Sequence, residues 1–109
     1  MIDIAKLAAL AVHYDAGDPR RVQHFIKVYG YCQLLGRSEG LDTHTQNMLE
    51  AAALLHDIGI HEAERRHGSS AGPYQEQEGP AVARPLLREA GADEEESRRV
   101  CWLIAHHHS

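Results

Sequence analysis

Leu54-Leu55-His56-Asp57-Ile58-Gly59 is the stretch that decides how this sequence reads. It places a histidine and an aspartate side by side at the end of an apolar helix. That helix is predicted to start at Asp42 or Thr43, either of which can cap it, with Gln46 three residues after Thr43 as a capping-box partner. Leu49, Ala52, Ala53 and His56 share one face, Leu54 and Leu55 widen it, and Gly59 is expected as the C′ residue that ends it. An ionised carboxylate in such a setting is costly unless a cation or strong donors satisfy it. Adjacent helix residues point about 100° apart. His56 and Asp57 therefore reach one ion only if it lies in the groove between their directions and other helices close the site. Imidazole nitrogen with carboxylate oxygen suits Mn, Fe, Co, Ni or Zn better than Ca. Taken alone, the pair is more simply an aspartate accepting local hydrogen bonds beside a core histidine.

Outward from this stretch, the periodicity is helical throughout. Residues 2–14 put Ile4, Leu7, Ala8, Ala11 and Val12 on one face. Asp18 and Pro19 form an N-cap and first helical position for a helix over 19–37, packed through Val22, Phe25, Ile26, Tyr29 and Gln33. Residues 60–73 carry no period and are rich in charge, glycine and serine, so they are expected as a loop of functional length. A helix over 74–90 follows, starting late or bent at Gly79-Pro80, with Val82, Leu86 and Leu87 inward. Asp93 caps the last helix, where Val100, Leu103, Ile104 and His107 repeat on one face. The expectation is one all-α domain over 1–109, a compact bundle of five helices.

The chain has 109 residues, 43% hydrophobic and 25% charged, with a net charge of −5. That length suffices for a core burying roughly two-thirds of the unfolded surface. The acidic balance argues against a broad nucleic-acid surface. Cys32 and Cys101 make no disulfide framework, so a reduced, cytoplasmic setting is expected and both read as packing residues. No apolar run reaches the roughly 18 residues of a membrane helix, and Met1–Leu10 carries no cleavage signature. Nine histidines remain to be explained. His24 borders the apolar face of Val22, Phe25 and Ile26. His106-His107-His108 grows directly out of Cys101-Trp102-Leu103-Ile104-Ala105, which separates it from a linker-borne histidine tag. His13 and His44 lie near helix ends and read as surface, and Trp102 reads as core or interface.

The order and spacing of these elements resemble the HD-domain superfamily of metal-dependent phosphohydrolases. The residues carrying the likeness are His24, the motif Leu54–Gly59, the run Glu78-Gly79-Pro80-Ala81-Val82-Ala83-Arg84, and Val100–His107. The resemblance covers the chain from about His24 onward. It implies that His24, His56 and Asp57 hold a metal. The family also has a final Asp on a later helix, which finds no match before Ser109, so this sequence is expected to stop short of the family's final helix. Two-metal members carry a histidine where Gln75 stands, so one metal is implied. Many members carry a lysine where Ile60 stands.

The function that follows is hydrolysis of a small phosphoester, a nucleotide in the first instance, by a metal-activated water. Asp57, His106 and His107 are the expected catalytic residues. His61, His67, Arg65 and Arg66 are candidates for contact with substrate phosphate, though each is more simply a solvated surface residue. The rival reading is a non-catalytic metal-binding or partner-binding module, with a homo-oligomer as one way to cover an apolar face. An oxygenase-like member of the same fold is disfavoured by Gln75.

Overall fold

The computed structural model describes residues 1–107; His108 and Ser109 lie outside the described residues. The helices are α1 (Ile4–Tyr14), α2 (Pro19–Glu39), α3 (Thr43–Leu55), α4 (Ile60–His67), α5 (Gly72–Glu89) and α6 (Glu94–His106). Among the described residues there is no strand, and no helix is long and apolar enough to cross a membrane.

Helix α3 is the centre. Met48 and the unbroken run Ala51–Leu55 are all buried, as expected for a helix apolar on every side. Helices α1, α2 and α6 pack around it, and α5 packs on α4 and α6. The largest fully buried side chains are Phe25, Leu7, Leu54, Leu55, Ile58, Leu87, Ile104 and Val100, with every helix but α4 represented. The segment before α1 is pinned to α3 by Asn47, whose amide donates to the Ile2 carbonyl (2.8 Å) while its oxygen accepts the Ile2 N–H (2.9 Å).

The caps follow from local chemistry. Asp3, Asp18, Asp42 and Asp93 each accept a backbone N–H three residues on. Asp93 and Glu96 complete a reciprocal capping box. Asp42 rather than Thr43 caps α3, and Gln46, expected to close a box with Thr43, instead donates to Glu50 Oε2 at 2.6 Å.

Four expectations are corrected here. There are six helices, not five. The segment 60–73, expected as a loop, begins with α4. Only Ile60 and Ala63 are buried in it, too few to show a period. Its helix is supported by Glu62 pairing with Arg65 and Arg66 at i+3 and i+4, and it closes at Gly68 in the left-handed region (φ 68°). Helix α5 does not wait for Gly79; it starts at Gly72 and runs through Pro80 and Pro85.

The fourth correction explains a glycine. Gly59 is no C′ residue: its φ is −81°, an ordinary helical value, and α3 has already ended at Leu55. A Cβ there would lie 2.7 Å from Gly79 N, 2.8 Å from Gly79 Cα and 2.9 Å from the Gln75 carbonyl oxygen. Glycine is required because the backbone of α5 crosses at that point. Residues 56–59 form a tight turn, with Ile58 N–H bonded to Leu55 O and Ile60 N–H to Asp57 O. This turn, and not the body of a helix, carries His56 and Asp57.

Candidate metal centre

The turn faces the start of α2. His24, in that helix, places its Nε2 3.2 Å from His56 Nε2 and 3.2 Å from Asp57 Oδ2. The third edge, His56 Nε2 to Asp57 Oδ2, is 3.1 Å. Three donor atoms thus form a nearly equilateral triangle. Donors about 2.0–2.2 Å from one ion stand roughly 3.0–3.5 Å apart at octahedral or tetrahedral angles, so the spacing and the donor set both fit a single divalent transition metal. Among the described residues this is the only group of His, Cys, Asp or Glu with donor atoms that converge in this way.

The tautomers agree with this reading. His56 Nδ1 lies 2.7 Å from the Ala53 carbonyl oxygen, which only accepts. Nδ1 therefore carries a proton, which leaves Nε2 as the ring nitrogen available to a metal. Asp57 divides its oxygens: Oδ2 belongs to the triangle, and Oδ1 lies 3.3 Å from His107 Nε2. His107, at the C-cap of α6, donates its Nδ1–H to the Ile104 carbonyl. Burial alone would push the Asp57 carboxyl up, but hydrogen bonds from His107 and His56 outweigh it and hold the carboxyl well below the usual carboxylate range. The same contact with Asp57 pushes the His107 imidazole up, against the effect of its burial.

One functional candidate escaped the sequence reading. Arg21 lies one turn before His24 on α2 and brings Nη1 to 3.5 Å from Asp57 Oδ2. Its Nε is buried without a hydrogen-bond partner. The i, i+3 spacing to His24 was the available signal.

The other predicted residues lie in different surroundings. His61 Nε2 is 3.1 Å from Asp18 Oδ2 and 3.6 Å from Asp15 Oδ1. Arg65 and Arg66 pair with Glu62, and Arg66 also approaches Glu78. His67 bonds Glu78 at 3.0 Å and stacks on Tyr74. All four candidates for phosphate contact are thus engaged with carboxylates. His106 donates Nδ1–H to the Trp102 carbonyl and stacks on the Trp102 ring. Trp102 is not a core residue; it is 59% exposed. Gln75 is buried and donates to the Ser70 carbonyl, and Ile60 is buried against the core. His13 is exposed, and His44 bonds Glu96 Oε2. Cys101 is buried, as its packing role requires, and Cys32 is partly so.

No curated protein and no solved structure shows significant similarity to the chain. It does match the HD domain family over residues 21–109, a span that takes in His24, the His56–Asp57 turn and His107. With most of its length inside that match, the chain belongs to the HD-domain family.

Proposed function

We propose that this protein is a metal-dependent phosphohydrolase acting on a small phosphoester, a nucleotide in the first instance. The observation that carries the reading is the convergence of His24 Nε2, His56 Nε2 and Asp57 Oδ2 within 3.1–3.2 Å of one another. A divalent transition metal held there (Mn, Fe, Co, Ni or Zn) supplies Lewis acidity and a water of lowered pKa. The chain's own residues do the rest. His24, His56 and Asp57 bind. The Ala53 carbonyl fixes the His56 ring. Arg21 offers a fixed positive charge to phosphoryl oxygens beside Asp57. His107, held toward its protonated form by Asp57, carries a proton on Nε2 that it can give to a leaving oxygen. Gln75, which already spends its amide on Ser70, supports one metal rather than two.

A second reading, a metal-binding or partner-binding module without turnover, draws support from Ile60. Its buried side chain brings no charge to the phosphate. The two separate in one assay. Phosphate release from nucleoside monophosphates or p-nitrophenyl phosphate is expected with added Mn²⁺, Co²⁺ or Zn²⁺, and its loss on chelation and in His56→Ala and Asp57→Ala. Metal binding with no release from any phosphoester would establish the module instead. The net charge of −5 favours a small phosphorylated substrate over a nucleic acid.

A further inference from the structure

Three buried side-chain atoms have no hydrogen-bond partner among the described residues, and two of them are Asp15 Oδ2 and Arg21 Nε. A carboxylate oxygen only accepts, and a guanidinium nitrogen only donates. Orphaned buried polar atoms are rare in folded proteins, because each costs its full desolvation. A complementary pair of them beside the candidate metal centre asks for a reason.

The backbone between them is fixed. Asp15 closes α1, and Arg21 lies in the first turn of α2. Gly17 turns the chain with a φ of 92°. Asp18 N–H bonds the Asp15 carbonyl at 3.0 Å, and Asp18 Oδ1 accepts the Arg21 N–H at 3.2 Å. What remains free is the direction of the two side chains. Asp15 is 2% exposed, and its Oδ1 faces His61 Nε2 across 3.6 Å, longer than a hydrogen bond. Arg21 reaches the other way, with Nη1 3.5 Å from Asp57 Oδ2. Burial pushes the Asp15 carboxyl up while the charges of His61 and Arg21 pull it down, so the guanidinium lies within electrostatic reach of it.

Asp57 Oδ2 is also the oxygen that the triad offers a metal. A divalent cation and a guanidinium on one oxygen repel each other, and in a partly buried site that repulsion is poorly screened. Loading the triad therefore weakens the hold of Asp57 on Arg21. Asp15 is the neighbouring buried anion with an oxygen to spare, and a charge-assisted bond from Nε satisfies both orphans at once. Pairing through Nε also leaves both Nη nitrogens of the fork for phosphoryl oxygens.

We propose that Asp15 is the counter-ion that takes up Arg21 when a divalent metal occupies the triad, a positioning residue that holds the guanidinium off Asp57 Oδ2 and turned to the substrate phosphate. The proposal rests on the metal-centre reading above, and its test needs no turnover.

Zn²⁺ is titrated calorimetrically into wild type, Asp15→Asn, Arg21→Met and the double variant. Asp15→Asn should bind Zn²⁺ about tenfold more weakly, because Arg21 then stays against the ion. Arg21→Met should bind as well as wild type or better. In the double variant the Asp15→Asn loss should vanish, the non-additivity expected of two groups in contact. Nitrogen-15 spectra of the arginine Nε–H groups read the same event in the unaltered protein. Zn²⁺ should shift the Arg21 Nε–H signal, identified by its absence from Arg21→Met, and slow its exchange with water at least about tenfold. In Asp15→Asn that shift should be lost. An equal Asp15→Asn loss with and without Arg21, or an Arg21 Nε–H signal that Zn²⁺ leaves unchanged, would overturn the proposal. A wild type that binds no Zn²⁺ removes the metal centre and the proposal together, whereas normal binding with additive variants removes the counter-ion alone. Coupled variants in a protein that releases no phosphate remove the hydrolase and keep the counter-ion.

Discussion

Two regions of this molecule bring histidine and carboxylate together, and they differ in what those groups do. In the triad, atoms from α2 and from the turn after α3 converge on one point, with the Nε2 atoms of two imidazoles turned toward it. Around α4, His61 sits between Asp15 and Asp18, while Arg65, Arg66 and His67 are taken by Glu62 and Glu78. There each basic side chain meets a carboxylate, which leaves less charge to offer a ligand. Composition alone makes the two regions alike; convergence separates them.

The largest effects should fall on the triad. His24→Ala, His56→Ala and Asp57→Ala are each expected to weaken metal binding at least about a thousandfold, because even outer partners of a metal ligand cost about 10–100-fold. His61→Ala and His67→Ala should shift it by less than about threefold. Isothermal titration with Mn²⁺ or Zn²⁺ compares the five variants.

Next comes the scaffold. Gly59 and Gly68 flank α4, but for different reasons. Gly59→Ala drives a Cβ into the α5 backbone and should cost about 3 kcal/mol in denaturant unfolding. Gly68→Ala meets open space and only the strain of a left-handed φ, about 1–2 kcal/mol. Equal losses would mean that α5 does not crowd the turn.

Arg21→Met should reduce kcat/KM by about a hundredfold, the usual loss of one donor to a developing oxyanion. Metal affinity should hold steady or rise, since a cation beside Asp57 is removed. Arg65→Met should leave both nearly unchanged.

The smallest effect is the pH dependence of the chelated protein. Asp57 lies below its ordinary 3.8, so its contribution to stability is present above that value and lost as pH falls through the folded one. His107 lies above its ordinary 6.5, so its contribution is complete below 6.5 and lost as pH rises through the folded value. The stability difference between wild type and His107→Ala should therefore be greatest between roughly pH 4 and 6.5 and shrink on both sides. Thermal melts across pH measure it, and a difference that grows above pH 8 would contradict the assigned pair.

The all-helical fold was legible because Asp18-Pro19, Asp93 with Glu96, and the apolar run before His56 carry cap and period signals that act locally. Helix α4 was not, since Ile60 and Ala63 alone mark its buried face and its charge pairs look like a solvated loop. The metal candidates His24, His56 and Asp57 were legible through order and helix context. Arg21 was not, because an arginine in a first turn usually faces water, and only the fold shows it aimed at Asp57. Gly59 was seen and misread: a stop signal and a close backbone crossing both call for glycine, and the choice between them needs α5 in place.

The central claim is that one ion is held by His24, His56 and Asp57. Elemental analysis after loading with Mn²⁺ or Zn²⁺ and exhaustive dialysis tests it most directly. The account predicts one ion per chain in the wild type and none in Asp57→Ala. A wild-type protein that retains no ion, or an ion that survives in Asp57→Ala and His56→Ala alike, would contradict it.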